Sequence, residues 1–394
     1  MSMKQRTKKL MAAGLSALLF FWYYSPAMAS LRSLPSGVEP EAASVAAPLV
    51  RAKAQPVRSS KDDRLAEGRR VYSLLGIVPL KTVKEVSDLP LVRLGGQAVG
   101  IVLYTKGVQV VGLTTVETDS GDLFPASAAG LRQGDAILAV DGQSVSGALG
   151  LCELLQGQEQ VTLTIQRGTE LLSLSLRPAA ERSTGQQKLG AWVRESTSGI
   201  GTLSFLQEDR FCALGHGVTD VDTGITLLTG RGYITPAAIT AVLRAESGQV
   251  GELTGDFSAR ESDALGQIDT NGSYGVAGPY FAGQDLWGPE VPLAWADQVR
   301  TGDATLYSAA DGTWRGYACR IIRLKVQSAP GIQGMMVEVT DPDLLSLTGG
   351  IVPGMSGSPV IQNGRLVGVV THVFINEPKR GYCVYAQWML EKLF

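Results

Sequence analysis

Short apolar runs separated by glycine, proline and aspartate fill the chain from about residue 90 to its end. Apolar and β-branched runs of this length, bounded by turn residues, are typical of β-strands. In two short segments, ALGLCELLQG and the terminal QWMLEKLF, the apolar residues have the spacing of a helix instead. The 47 glycines and the charged fraction of 18% also favour short strands and many turns over long solvated helices. We therefore expect a mainly β protein.

The first strand-rich region covers residues 89–180. It contains the segments SAAGL and GDAILAVDG, and it closes with two strands joined by a turn at Arg167-Gly168. This order of strand, small-residue helix and GDxIxxVDG resembles a PDZ domain. PDZ domains bind an extended peptide as an additional strand, and backbone amides can hold a terminal carboxylate. In this resemblance the peptide-binding loop lies at Ala98, Val99, Gly100 and Ile101.

The second strand-rich region covers residues 187–394. One β-run follows another, and Asn363-Gly364 between two apolar runs is a strong signal of a two-residue hairpin. So many short strands favour a β-barrel or a pair of barrels. At 394 residues the chain is long enough for two or three domains, so the two regions are expected to fold as separate units.

Residues 1–29 have the features of an export signal. Basic residues precede an apolar run over residues 10–24, and Ala27-Met28-Ala29 offers an A-x-A cleavage pattern. The apolar stretch is also nearly long enough to stay as a membrane anchor, so cleavage and retention both remain open. Residues 30–88, rich in alanine, proline and serine near their start, are expected to form a linker and the segment that leads into the next domain. The rest of the chain should lie outside the cytoplasm.

Charge and cysteine content exclude some classes of protein. The net charge of −2 gives no reason to expect a nucleic-acid partner. The four cysteines contain no CxxC pair, so we expect neither a zinc site nor another cofactor. An exported chain could form two disulfides from them, and four separate buried thiols are the alternative.

The segment GMSGSP, residues 354–359, carries the candidate nucleophile. It matches GDSGGP, the nucleophile segment of trypsin-like proteases, at four of six positions. In such a turn Ser356 faces outward, and the amides of Gly354 and Ser356 converge as an oxyanion hole. Ser358 is the rival nucleophile, but it has no glycine two positions earlier.

A serine nucleophile needs a base, and the chain has only two histidines. His216, between two glycines in ALGHG, is the better candidate, whereas His372 in VVTHVF is expected beside the nucleophile or in a cleft wall. A carboxylate should orient the base. Asp341 ends the run MMVEVT, but Asp341-Pro342 also predicts the start of a helix, and Asp343 is a second candidate.

Several of these motifs together resemble one family, the SpoIVB peptidases of endospore-forming bacteria. The motifs are ALGHG, the strand end Thr340-Asp341, TGGIVPGMSGSP and IQNGRLVGVVTHVF. The resemblance covers the chain beyond the linker. It implies a PDZ domain followed by a trypsin-like double β-barrel serine peptidase domain, with the triad His216, Asp341 and Ser356.

The resemblance also implies a biological role. Members of that family are exported signalling proteases of sporulation that act between forespore and mother cell. They cleave themselves and cut the membrane-bound regulator of an intramembrane protease, which releases a sigma factor from its pro-form. The PDZ domain takes part in recognising both targets. Two other interpretations remain: a PDZ adaptor on an inactive protease scaffold, and a quality-control protease of the HtrA type, against which the domain order argues.

Overall fold

The computed structural model describes residues 50–55, 67–74, 78–86, 89–281, 286–325, 327 and 329–394, the first three by their backbone alone. The predicted export signal, residues 1–29, lies outside the described residues. The described chain contains 27 strands and four α-helices, so the prediction of a mainly β protein is confirmed. No helix within these ranges is both long and apolar enough to cross a bilayer.

Three strands lie in the segment that was predicted to be a linker. They are β1 (Val50–Gln55), β2 (Glu67–Leu74) and β3 (Val78–Val86), and they pair antiparallel in the order β1-β2-β3. The sequence VRAKAQ of β1 alternates apolar and polar residues, which is the period of a strand. The assignment of residues 30–88 as a linker and entry segment stays a prediction.

The next part of the chain holds the region predicted to be a PDZ domain. Its elements are β4 (Leu91–Leu94), β5 (Ala98–Leu113), β6 (Val116–Thr118), β7 (Gly121–Leu123), α1 (Pro125–Ala128), β8 (Ala136–Val140), β9 (Gln143–Ser144), α2 (Ala148–Leu155), β10 (Val161–Arg167), β11 (Glu170–Leu176), β12 (Ala179–Ala180), β13 (Gln187–Lys188) and β14 (Ala191–Gln207). Strands β11, β10, β8, β5 and β14 are neighbours in one sheet. Leu151 and Leu155 of α2 join Ile137 and Leu163 of the sheet in one buried apolar cluster. This cluster is the core of the region.

The remaining chain forms the rest of that sheet and a closed barrel. Its elements are β15 (Arg210–Ala213), β16 (Thr229–Leu243), β17 (Glu252–Phe257), β18 (Gly266–Ile268), β19 (Thr270–Gly272), β20 (Gly275–Pro279), β21 (Glu290–Pro292), β22 (Gly302–Ser308), β23 (Arg315–Leu324), β24 (Met335–Val339), α3 (Pro342–Thr348), β25 (Pro359–Gln362), β26 (Arg365–Phe374), β27 (Glu377–Tyr385) and α4 (Ala386–Leu393). The barrel closes in the order β22-β23-β24-β27-β26-β25. Asn363 and Gly364 join β25 to β26 with φ values of 50° and 74°, as expected for the predicted hairpin. The prediction of a barrel in this region is confirmed.

Two long strands run through both regions. Strand β5 pairs antiparallel with β14 from Leu113 opposite Ala191 to Ala98 opposite Thr202, with two irregularities in register. Beyond the PDZ-like core, β14 continues to pair with β15 and β4. The division at residues 89–180 and 187–394 stays a prediction, and the two regions share one sheet across it.

The predicted peptide-binding loop lies in the middle of this sheet. Ala98, Val99, Gly100 and Ile101 are the first residues of β5. On one side they pair with β14, and from Val99 onward they also pair with β16 on the other. A strand flanked on both sides has no edge to offer a peptide. This part of the sequence prediction is therefore corrected: the four residues are an interior strand segment.

All four cysteines are free thiols, so the alternative of two disulfides is not what the structure shows. Cys152 on α2 is exposed, and the other three are buried. Burial raises the pKa of the Cys319 thiol to about 12 and also raises the pKa values of Cys212 and Cys383. These three thiols are therefore protonated at neutral pH.

Candidate active site

The predicted nucleophile lies on a tight turn between α3 and β25. The turn is closed by two backbone hydrogen bonds, in which Met355 N donates to Val352 O at 3.0 Å and Ser358 N donates to Met355 O at 3.0 Å. Gly357 N donates to Val370 O at 2.9 Å, which attaches the turn to β26. The side chain of Met355 is fully buried beneath it. The turn is thus fixed from both sides, with Ser356 at its outer face.

Glycine is required at two positions of this turn. Gly354 and Gly357 have φ values of 97° and 104°, which side chains disfavour. A Cβ atom at Gly357 would also lie 2.0 Å from the carbonyl oxygen of Thr202. The pattern GMSGS therefore reflects the close approach of β14 to the turn.

The two serines of the turn have different environments. Ser356 is half-buried. Ser358 is fully buried, and its hydroxyl has no hydrogen-bond partner in the described chain. A buried hydroxyl cannot meet a peptide substrate, so the geometry favours Ser356 over Ser358 as the nucleophile.

The two amides predicted to form the oxyanion hole are free. Within the described residues, neither Gly354 N nor Ser356 N donates to a backbone or side-chain acceptor. Both flank the Ser356 hydroxyl along the chain. Unpaired amides beside a nucleophile are the donors that stabilise a tetrahedral oxyanion.

The Ser356 hydroxyl itself is engaged. It donates a hydrogen bond of 2.9 Å to the carbonyl oxygen of Thr371 on β26. A carbonyl can only accept, so the hydroxyl proton points toward Thr371 and away from any base. The nucleophile is therefore held in a resting orientation.

His216 lies on the loop that follows β15, next to the same two strands. Leu214 N, two residues before it, donates to Thr202 O at 3.2 Å. Gly215 packs so closely on β26 that a Cβ atom there would lie 3.1 Å from the Thr371 methyl group. Thr202 and Thr371 thus each contact both the His216 loop and the Ser356 turn. The structure brings the predicted base and nucleophile into one neighbourhood.

The ring of His216 has a defined partner. Its Nδ1 lies 3.0 Å from the carbonyl oxygen of Gly217. Because this oxygen only accepts, Nδ1 carries the proton and Nε2 has the free lone pair. That tautomer is the one a general base needs. The ring of His372 lies beside it, with 5.0 Å between the ring centroids.

Burial keeps His216 neutral. Desolvation lowers the pKa of His216 below its ordinary value of 6.5, and the nearby His372 lowers it further, while the hydrogen bond to Gly217 acts in the opposite direction. The pKa of His372 is also lowered by desolvation. At neutral pH the His216 ring is therefore unprotonated and able to accept a proton.

Asp341 accepts hydrogen bonds other than the one that a catalytic triad requires. It is the N-cap of α3, and its Oδ1 accepts from the amides of Asp343 and Leu344 at 3.1 and 3.2 Å. Its Oδ2 accepts from Ala318 N at 3.1 Å. His216 is not among its hydrogen-bond or ion-pair partners. The N-cap that Asp341-Pro342 predicted is confirmed, and Asp343 instead contacts Arg315 at 3.4 Å.

Sequence reasoning missed two threonines of the site. Thr202 and Thr371 are buried within apolar strands, and their contacts with the catalytic segments come from strand register. No local motif distinguishes them from other threonines in strands. Only the pairing of distant strands could have identified them.

Sequence reasoning also missed the free strand edge of the PDZ-like region. Over its first residues, 191–198, β14 pairs with β5 alone among the described strands. Helix α2 runs beside this edge. Ala148 N donates to Glu195 Oε2 at 2.6 Å near one end of α2, and Gln156 exchanges hydrogen bonds of 3.1 Å with the Gln187 backbone at the other.

Two family profiles match parts of the chain, and two solved structures of a protease are similar to it at low identity. The sequence profile of the SpoIVB peptidase S55 family matches residues 185–390, and that of the PDZ domain matches residues 124–167. The active form of the Rv3671c protease from M. tuberculosis is 16% identical, with a TM-score of 0.27 over 50% of this chain and 73% of that chain. Its inactive form is also 16% identical, with a TM-score of 0.26 over 50% and 82%. No curated protein matches the chain.

The lowered pKa of His216 predicts the acid limit of nucleophile reactivity. As the pH is lowered, the second-order rate of labelling by a fluorophosphonate should fall with a midpoint below pH 6.5. Only the neutral His216 ring can accept the Ser356 proton. In His372→Gln the midpoint should move to higher pH, since the neighbouring positive charge is lost. A wild-type midpoint above 6.5 would contradict the assignment of His216 as the base.

Proposed function

The chain belongs to the SpoIVB peptidase S55 family, and from that membership and its site we propose that it hydrolyses peptide bonds through an acyl-enzyme on Ser356. The observation that carries the proposal is the Ser356 turn, whose two free amides lie beside a neutral histidine. A serine, a base and paired amide donors are the parts that acyl transfer needs.

The proposed reaction begins when the Ser356 hydroxyl turns from the Thr371 carbonyl to His216. Nε2 of His216 takes the hydroxyl proton while Oγ attacks the scissile carbonyl carbon. The amides of Gly354 and Ser356 hold the oxyanion that forms. His216 then gives the proton to the leaving amine, and water releases the acyl group by the same steps in reverse.

We propose Asp341 as the third member of the triad when substrate is bound. In the present arrangement Gly217 accepts from Nδ1, and Asp341 caps α3. Catalytic hydrogen bonds are often formed only in the substrate complex. Pairing with His216 would require Asp341 to exchange its hydrogen bonds with Asp343 and Leu344 for one with the imidazole.

We further propose an exported enzyme that cleaves itself and a membrane-associated regulator during endospore formation. Its place would be the space between forespore and mother cell, with an N-terminal segment that is either cleaved or retained as an anchor. The cleavage would release an intramembrane protease that matures a pro-sigma factor. Family membership supports this role, and the PDZ match supports a peptide or protein as the target.

The peptide-binding edge of the PDZ domain is proposed at residues 191–198 of β14. An extended peptide can add to this free edge as a further strand, between β14 and α2. Ala148, Cys152 and Gln156 lie four residues apart on one face of α2, and both end members of this row contact the β13–β14 segment. The exposed Cys152 is therefore expected to face a bound peptide.

The nucleophile assignment predicts the outcome of two single substitutions. Ser356→Ala should abolish self-processing and fluorophosphonate labelling, because it removes the hydroxyl that is proposed to attack. Ser358→Ala should still be labelled, since that side chain is buried under the turn. Labelling is measured by intact mass and the labelled peptide by tandem mass spectrometry. Covalent labelling of Ser356→Ala would disprove the assignment, and an unlabelled wild-type protein would favour the adaptor interpretation.

The triad proposal predicts that Asp341→Asn lowers the rate of self-processing by about four orders of magnitude. Asparagine is as good an N-cap as aspartate, so α3 should keep its start. The hydrogen bond from Ala318 N to Oδ2 is lost, so the thermal midpoint should fall slightly while the protein stays folded. Asp343→Asn is the matched control and should process normally. Normal turnover in Asp341→Asn would restrict this residue to its capping role.

The proposed peptide edge predicts protection of one thiol. Overlapping synthetic peptides that cover residues 30–88, the predicted linker and entry segment, should include one that slows alkylation of Cys152 by N-ethylmaleimide. Cys152 is the one exposed thiol of the four, so the alkylation reports on α2 alone. Binding measured by fluorescence anisotropy should weaken in Cys152→Glu and stay unchanged in Leu171→Glu, a control on the exposed face of β11. Binding of a peptide without protection of Cys152 would place the edge elsewhere.

A further inference from the structure

Thr202 is a buried residue of β14 with only 2% of its surface exposed. Its hydroxyl donates to the carbonyl oxygen of Gly354 at 2.7 Å. Its backbone N–H donates to the carbonyl oxygen of Ser356 at 3.1 Å. Thr202 thus holds the two residues whose amides flank the nucleophile, and it does so from a strand outside the turn.

The hydrogen bonds from Thr202 to Ser356 and to Gly354 differ in whether a substitution at residue 202 can remove them. The bond from Thr202 N to Ser356 is a backbone bond that any residue except proline would make. The bond to Gly354 depends on a hydroxyl. Gly354 has a φ of 97° and no side chain, so rotation of its peptide groups meets little steric resistance. The peptide group that joins Gly354 to Met355 is held at both of its polar atoms, because Met355 N donates to Val352 O at 3.0 Å and Gly354 O accepts from the Thr202 hydroxyl at 2.7 Å.

The backbone carbonyl of Thr202 contacts the loop that carries the base. Its carbonyl accepts from Leu214 N at 3.2 Å, two residues before His216. The same carbonyl is the atom that leaves no room for a Cβ atom at Gly357. One residue therefore contacts the segments that carry the nucleophile, the oxyanion donors and the base.

We propose that Thr202 is a positioning residue for peptide hydrolysis. Its hydroxyl helps to fix the peptide group between Gly354 and Met355, so that the amides on either side of this group, Gly354 N and Ser356 N, face the oxyanion together. The proposal rests on the serine peptidase function. Thr202 does not touch the substrate, and it acts through the turn that does. The hydroxyl should matter in the transition state, where charge develops on the oxyanion, and little in the binding of the substrate.

The test uses the full-length chain with p-nitrophenyl acetate, an ester whose acylation of Ser356 needs no knowledge of the cleavage specificity. Thr202→Val keeps the shape and the backbone bonds and removes the hydroxyl. It should lower kcat by about tenfold to hundredfold with little change in KM, less than the loss of a direct oxyanion donor. The dissociation constant of phenylboronic acid, which forms a tetrahedral adduct, should rise in parallel. Thr202→Ser keeps the hydroxyl and should restore both values.

Thr235 provides a matched control. It is fully buried, and its hydroxyl donates to Ser258 O at 2.8 Å, far along the chain from the nucleophile turn. Thr235→Val should keep kcat near the wild-type value even where its thermal midpoint falls as much as that of Thr202→Val. Equal losses of kcat in the two variants, no loss in Thr202→Val, or no rescue by Thr202→Ser would each overturn the proposal. Ester turnover in Ser356→Ala would instead overturn the proposed function, whatever Thr202 does.

Discussion

The pairing of β14 with β5 is the constraint on which both halves of the molecule depend. At one end of β14, Ala191 and Val193 pack against the core of the PDZ domain. At the other end, Thr202 hydrogen-bonds to the nucleophile turn. A shift of one residue in this pairing would invert the faces of the strand. It would take Thr202 away from Gly354 and would disturb the core at the same time.

The active site is built from segments that each need the others. The Ser356 turn has glycine at two positions with positive φ. The space beside Gly357 is filled by the backbone of β14, and the space beside Gly354 is filled by the side chain of Leu253 on β17. The His216 loop packs on the same strand and on β26. The serine hydroxyl, the histidine Nδ1 and the Asp341 carboxylate all have partners outside the catalytic set. In the proposed mechanism, substrate binding exchanges these local hydrogen bonds for the catalytic ones.

Local chemistry explains which features the sequence could predict. Asn363-Gly364 specifies its hairpin by backbone preference alone, and Asp341-Pro342 specifies a helix start in the same way. His216 and Ser356 could be paired because the chain offers so few bases. The positions of Ala98 to Ile101 and of Thr202 depend on strand register over about a hundred residues, which no local pattern encodes. The strand edge that is proposed here for peptide binding could therefore not be found from the sequence.

The register of β5 and β14 has an architectural consequence. Because Leu113 lies opposite Ala191, the chain between these two residues begins and ends at the same end of the antiparallel pair β5 and β14. Strands β5 and β14 both belong to the PDZ region at this end, and both continue into the region that carries His216 and Ser356. The PDZ region is thus an insertion at one end of a two-stranded ribbon. Twelve residues of extended backbone, from Ala191 to Thr202, connect it directly to the strand segment that hydrogen-bonds to the nucleophile turn.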